Sequence, residues 1–212
     1  MRAVIFDFDG TIADSFSMVM TIAYDLTKHE QLKDINQINE MRRNNVSLTQ
    51  AINSLGVPRW KWAWLLRQGR RMMSRNIHKI PLFDGMGEAL FKLYSENYEL
   101  YIITSNSKNN VERFLSEKGI LTYFRGVYGG AGLFNKQRLI KKVLKTSRLD
   151  AKSTIYVGDE VRDVMAAKTL NMPVIAVTWG YNSEQLLLTC QPTIIVRSPE
   201  QLSRVIVGWG KA

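Results

Sequence analysis

Two short acidic motifs, far apart in the chain, carry residues that could perform chemistry. Asp7 and Asp9 follow one apolar run, and Asp159 and Asp163 follow a second. Because each run is typical of a buried strand, we expect these carboxylates at the carboxyl edge of one sheet, where open α/β sheets bind ligands. Crowded like charges repel each other, and a bound cation relieves that repulsion. The alternative is ordinary turn or helix-cap chemistry, in which Asp and Gly are also common.

Two further polar positions are predicted at the same edge. Ser105 and Asn106 lie between a predicted strand and a predicted helix, where a hydroxyl and backbone amides can bind an anion. A plain helix cap is the alternative there. Lys136 opens a predicted helix, a position at which a cation opposes the helix dipole. We therefore expect a negative charge close to Lys136.

Composition bounds the class of protein. The chain has 212 residues, 45% of them hydrophobic, which fits one globular domain with a small insert. No apolar run approaches the roughly 20 residues of a membrane span, and the N-terminus lacks the form of a signal peptide, so a cytoplasmic protein with no membrane partner is expected. Cys190 is the only cysteine, which excludes an internal disulfide and a cysteine metal cluster. Nothing in the sequence indicates an oligomeric state.

The order of predicted elements indicates an α/β fold with a helical insert. Helical periodicity dominates from residue 16 to 76, and strands alternate with helices from residue 81 onward. Such alternation predicts a doubly wound, mostly parallel sheet. We expect a core domain of residues 1–14 and 82–212, an all-α lid of residues 15–81, and hinges near residues 14–15 and 81–83. The predicted helices are 16–29, 35–41, 47–55, 58–76, 87–97, 108–118, 135–146, 161–171 and one at the C-terminus; after the first strand, the predicted strands are 99–104, 126–128, 154–157, 173–177 and 193–196.

These motifs, in this order, resemble the four motifs of the haloacid dehalogenase superfamily. They are Asp7-x-Asp9-Gly10-Thr11, Ser105-Asn106, Lys136 and Gly158-Asp159-x-x-x-Asp163. The resemblance runs from Asp7 to about Gly180, and the helical insert resembles the cap of the phosphoglycolate phosphatase-like branch. It implies a Rossmann-like core with an inserted helical cap. One departure is Gln137, which stands where proline commonly follows the lysine of this branch.

The resemblance implies a phosphatase mechanism. Asp7 is implied as the nucleophile that forms an aspartyl-phosphate, and Asp9 as the group that protonates the leaving alcohol and then activates water. It implies Mg²⁺ as the cofactor, held by Asp7, the backbone carbonyl of Asp9 and Asp159, with Asp163 contacting the metal through water or supporting the direct ligands. Ser105, Asn106 and Lys136 are implied to bind the phosphoryl oxygens of a small phosphorylated substrate, and Lys136 is also implied to shield Asp7 during catalysis.

Other activities of the same superfamily remain open, and so does a different class of function. Asp9 argues against carbon–halogen cleavage, whereas a phosphomutase or a phosphonatase remains possible on this sequence. A nucleic-acid-binding module with weak or no hydrolase activity is the competing hypothesis. It draws on a net charge of +10, a pI near 9.8 and a tryptophan-containing basic lid.

The predicted lid carries the residues that would select the substrate. Residues 13–83 contain eleven Lys and Arg against five Asp and Glu, an excess that either steers an anionic substrate or forms a solvated helix face. The lid aromatics either pack between helices or provide a shelf for a base or ring, with arginines receiving further anionic groups. The aromatics are Trp60, Trp62 and Trp64; the arginines are Arg67, Arg70 and Arg71, with Arg42 and Arg43 able to serve a small carboxylate instead.

Overall fold

A six-stranded parallel sheet forms the centre of the computed structural model, which describes residues 2–29, 59–130 and 136–209. The strand order is β3-β2-β1-β4-β5-β6, and every neighbouring pair is parallel. This confirms the predicted doubly wound α/β class. The strands are β1 (Ala3–Phe6), β2 (Glu99–Ile103), β3 (Phe124–Tyr128), β4 (Thr154–Gly158), β5 (Val174–Val177) and β6 (Ile194–Val196).

Helices cover both faces of the sheet. Alternate residues of β1 point to opposite faces, so Val4 and Phe6 belong to one buried cluster and Ala3 and Ile5 to the other. The described helices are α1 (Phe16–His29), α2 (Arg59–Asn76), α3 (Met86–Ser95), α4 (Lys108–Glu117), α5 (Lys136–Thr146), α6 (Val161–Lys168), α7 (Glu184–Thr189) and α8 (Pro199–Trp209). Residues of α3, α4 and α8 pack in the first cluster, and residues of α5, α6 and α7 pack in the second.

The strand order places a topological switch at the centre of the sheet. β1 lies between β2 and β4, and the chain order of the strands reverses at the β1–β4 pair. Loops that leave two such strands in opposite directions open a crevice at their carboxyl ends, and ligands of doubly wound folds bind there. Both acidic motifs follow these two strands.

Helices α1 and α2 belong to the segment between β1 and β2, and they pack against each other. The chain leaves and re-enters the sheet domain through two adjacent stretches. Ala13 and Leu82 form an antiparallel bridge, and the amide of Asp14 donates to the carbonyl of Pro81 over 3.0 Å. Within the described ranges, no helix combines the length and apolar character needed to cross a membrane.

Several predicted boundaries differ from the structure. The predictions missed α7, a six-residue helix with one buried residue, Leu187, which is too short to show helical periodicity. Cys190 caps the end of α7. Helix α6 ends at Lys168 rather than at residue 171, because Asn171 adopts a left-handed backbone with φ of 54°. The predicted helices 35–41 and 47–55 lie outside the described residues.

Candidate active site

The structure brings Lys136 together with both acidic motifs. Its ammonium nitrogen lies 2.8 Å from Oδ2 of Asp7 and also forms an ion pair with Oδ1 of Asp163. Lys136 is 5% exposed and Asp7 2% exposed, so the ion pairs lie inside the protein. A cation that opens a helix is therefore compensated by two carboxylates, as its position in the sequence predicts.

Asp163 holds Lys136 in place. Its Oδ1 also accepts from the hydroxyl of Tyr156 over 3.3 Å, and its Oδ2 accepts from the backbone amide of Glu160 over 3.1 Å. Burial lowers the pKa of Lys136, but the charges of Asp163 and Asp7 outweigh burial and raise that pKa above its usual range. Lys136 is accordingly a fixed positive charge at the sheet edge.

Asp7 and Asp9 are carboxylates that burial makes reluctant to ionise. Burial raises the pKa of Asp7 from 3.8 to about 7, with the charge of Lys136 acting in the opposite direction and that of Asp163 raising it further. Burial also raises the pKa of Asp9, while the polar side chains of Ser15 and Asn106 oppose the shift. A raised pKa favours the protonated form of the Asp9 carboxyl group, which is the form that a general acid requires.

Asp159 is enclosed by groups from the two loops that follow β1 and β5. The hydroxyl of Thr11 donates to its Oδ1 over 2.7 Å, and the backbone amide of Tyr181 donates to its Oδ2 over 2.7 Å. Gly10 and Gly180 permit this packing, since a Cβ at either position would lie 2.3 Å from Oδ2. Gly10 also has a φ of 84°, in the left-handed region that favours glycine. Two glycines thus make room for one aspartate.

Negative charge exceeds positive charge in this cluster. Asp7, Glu160 and Asp163 each offer a carboxylate oxygen within 4.8 Å of the others, and all three residues are buried. Burial raises the pKa of Asp159 well above its usual range, and the charges of Glu160 and Asp7 add to that effect. The nearby cations are Lys136 and Arg162, whose guanidinium is bound by Glu160 over 2.5 Å.

The cluster fits a divalent cation. Oδ1 of Asp9 is buried without a hydrogen-bond partner in the described part of the chain, and the contact of Asp7 Oδ2 with Lys136 is an ion pair rather than an aligned hydrogen bond. Buried carboxylate oxygens that lack donors and repel one another are the ligands that hard cations such as Mg²⁺ prefer. This donor set suits Mg²⁺ better than a soft metal, because it contains no sulfur or imidazole.

The loop after β2 differs from the expected anion cradle. The amide of Asn106 donates to Oγ1 of Thr104 over 2.9 Å, and the amide of Ser107 donates to Oδ1 of Asn106 over 2.8 Å. These two amides are therefore occupied within the loop, and anion binding by the loop stays a prediction. Nδ2 of Asn106 points to Oδ2 of Asp9 at 3.4 Å, and Ser105 is partly buried beside it.

Sequence reasoning missed several residues of the cluster. Glu160 and Arg162 lie inside the second acidic motif, and their alternating charges were a usable signal for an ion pair. Tyr156 and Tyr181 gave no such signal, because a tyrosine in or after a buried strand usually serves packing. The lid aromatics are only partly described: Trp64 is 45% exposed, and the side chains of Trp60 and Trp62 lie outside what the structure describes.

Doubly wound parallel sheets bind ligands at the switch point, and here an ion-paired lysine among buried aspartates places a cation where an anionic ligand such as a phosphate ester could bind. The chain belongs to the haloacid dehalogenase-like hydrolase family, whose model matches residues 4–177. This confirms the resemblance seen in the four sequence motifs.

Individual relatives agree with a phosphatase. The chain is 31% identical over 206 residues to the phosphoglycolate phosphatase of Synechococcus elongatus, covering 97% of each protein. It is 30% identical to a probable phosphatase, IndB, of Dickeya dadantii, covering 91% of this chain and 88% of the relative. A crystal structure of a predicted phosphatase from Clostridium acetobutylicum has the same fold, with a TM-score of 0.84 at 23% identity and 98% coverage of both chains. The protein is therefore a phosphatase of this family.

Proposed function

We propose that the protein is a Mg²⁺-dependent phosphomonoester hydrolase that works through a phosphorylated Asp7. The observation that carries the proposal is the placement of Lys136 between Asp7 and Asp163 at the switch point of the sheet. A phosphoryl group carries negative charge that would repel a bare carboxylate. The fixed cation beside Asp7 reduces that repulsion and lets the carboxylate approach phosphorus.

Asp7 and Asp9 divide the chemistry between them. A carboxylate oxygen of Asp7 forms a bond to phosphorus while the bond from phosphorus to the ester oxygen breaks, and Asp9 gives its proton to the departing alkoxide. Asp9 then removes a proton from water, whose oxygen attacks phosphorus and releases Asp7 and inorganic phosphate. The raised pKa of Asp9 supports this role, because the group must hold a proton before the first step.

Mg²⁺ is proposed to be held by the carboxylates of Asp7 and Asp159 and by the backbone carbonyl of Asp9. Asp163 is proposed to act mainly as the ion-pair partner of Lys136. When bound, the ion would neutralise charge on the phosphoryl oxygens. Thr11 and Tyr181 orient Asp159 through their hydrogen bonds to its two oxygens. The hydroxyl of Ser105, the side-chain amide of Asn106 and the ammonium of Lys136 are proposed to bind the phosphoryl group.

We propose that residues 15–81 act as a cap over a core of residues 1–14 and 82–212. Two observations support this division: the helices α1 and α2 pack on each other, and the two connecting stretches pair at Ala13 and Leu82. Side-by-side connectors let an insert move as a unit without disturbing the sheet. The hinge positions 14–15 and 81–83 remain a prediction.

The substrate is proposed to be a small phosphorylated acid or alcohol, with 2-phosphoglycolate the first ester to test, because the relative from Synechococcus elongatus is a phosphoglycolate phosphatase. The test measures phosphate release from a panel of esters with Mg²⁺, with EDTA, and with the variant Asp7→Asn. We expect Mg²⁺-dependent release that the substitution abolishes. Release that is unchanged in EDTA or in Asp7→Asn would contradict the proposal.

A further inference from the structure

The side chain of Asn106 is held in one orientation. Its Oδ1 accepts two hydrogen bonds, from the amide of Ser107 over 2.8 Å and from Nδ2 of Asn110 over 3.1 Å. An amide oxygen that faces two donors cannot exchange places with its NH₂ group without losing both bonds. Nδ2 of Asn106 must therefore face the opposite way, toward Oδ2 of Asp9 at 3.4 Å.

Asn110 connects this orientation to the helical insert. It lies on α4, is 5% exposed, and its Nδ2 donates both to Oδ1 of Asn106 and to the backbone carbonyl of Arg70 over 3.2 Å. An amide NH₂ has two hydrogens, so each acceptor receives one of them. The same side chain thus contacts the insert helix α2 and the residue that contacts Asp9.

Arg70 strengthens the connection from the other side. Its guanidinium donates to the carbonyl of Ser105 over 2.9 Å. Helix α2 is therefore attached at two points: the Arg70 side chain contacts the loop that carries Ser105 and Asn106, and the Arg70 carbonyl contacts Asn110 on α4. Displacement of α2 would break both attachments together.

We propose that Asn110 is a positioning residue that holds the side-chain amide of Asn106 against Asp9. Because Asn110 also donates to the carbonyl of Arg70, this arrangement depends on the docking of α2. This inference rests on the proposed function, since it concerns the group that protonates the leaving alcohol. With α2 docked, the Asn106 amide holds the Asp9 carboxyl toward the ester oxygen. With α2 displaced, Asn110 loses its acceptor on Arg70 and no longer fixes the Asn106 amide, and Asp9 loses its orientation.

Two esters distinguish positioning of the acid from a general structural effect. The departing group of p-nitrophenyl phosphate is stable as an anion and needs little protonation, whereas that of an alkyl phosphate such as 2-phosphoglycolate needs a proton. In Asn110→Ala, we expect kcat/KM for the alkyl ester, which reports the step that releases the alcohol, to fall by about tenfold, part of the 10²–10⁴ typical of general-acid catalysis. We expect kcat/KM for the aryl ester to change by less than about threefold. Asn109→Ala, an exposed asparagine on the same helix, is the matched control and should match wild type.

Equal losses on the two esters, or no loss on either, would overturn the inference. Arg70→Ala provides the second variant, with Arg75→Ala, an exposed arginine on the same helix, as its control. Arg70→Ala should also lose more activity on the alkyl ester than on the aryl ester. Rates equal to wild type on both esters would overturn the link to α2. A wild-type protein that hydrolyses neither ester with Mg²⁺ would instead contradict the proposed function itself, and so the two failures are distinguishable.

Discussion

The ammonium group of Lys136 lies 2.8 Å from the carboxylate of Asp7, and both side chains are buried. One residue opens helix α5 and the other follows strand β1, so the pair joins two distant parts of the chain at the switch point of the sheet. A buried ion pair of this kind is costly to break, because the remaining charge has no water to solvate it. The stability of the protein should therefore report on this contact.

Replacing Lys136 by alanine should destabilise the protein as well as inactivate it. The substitution leaves Asp7 and Asp163 buried without their common counter-charge, a change that typically costs about 3–5 kcal/mol. Urea unfolding of the metal-free protein measures the difference. Lys142→Ala, an exposed lysine on the same helix, should change the free energy of unfolding by less than about 0.5 kcal/mol. Similar stabilities for the two variants would contradict the buried pair.

Without divalent cations, the protein should lose stability as the pH rises from about 4 to 7. The pKa of Asp7 is raised from 3.8 to about 7 by folding, so the folded state holds this proton more tightly than the unfolded state. The contribution is present below the unfolded pKa and is lost as the pH rises through the folded pKa. Thermal unfolding in metal-free buffer at a series of pH values measures this loss of stability. Asp7→Asn removes the titrating group and should show a smaller decrease; an equal decrease would contradict the assignment.

Gly180→Ala should disturb Asp159 directly. The new Cβ would lie 2.3 Å from both the Cβ and Oδ2 of Asp159, and overpacking of this kind typically costs about 1–3 kcal/mol. We also expect a higher Mg²⁺ concentration for half-maximal phosphatase activity. Gly208→Ala, on α8, is the control, since its Cβ would meet no atom within 4 Å. If the two alanine variants have the same Mg²⁺ requirement, Gly180 is not needed for the placement of Asp159.

The sequence predicted the location of the site residues that directly follow buried strands. Asp7 and Asp159 come directly after buried apolar runs, and the carboxyl ends of parallel strands meet at one edge, so their proximity followed from the strand pattern. The presence of negative charge close to Lys136 followed from its unfavourable position at a helix start. The family assignment rested on the same residues.

What the sequence did not predict depends on side-chain orientation. The partner of Lys136 could have been any nearby acid, and only the structure shows that Asp163 is occupied by Lys136, Tyr156 and a backbone amide. The hydrogen bonds from Asn110 to Asn106 and Arg70 were equally hidden, because an asparagine within a helix has no characteristic spacing from its partners.

The most direct test of the mechanism is to identify the residue that becomes phosphorylated. Borohydride added during turnover reduces an aspartyl-phosphate to homoserine, which tandem mass spectrometry of the digested protein can locate. We expect homoserine at position 7, formed only when substrate and Mg²⁺ are both present, and none in Asp7→Asn. Homoserine at another aspartate, or none at position 7 in protein that is hydrolysing its substrate, would contradict the role assigned to Asp7.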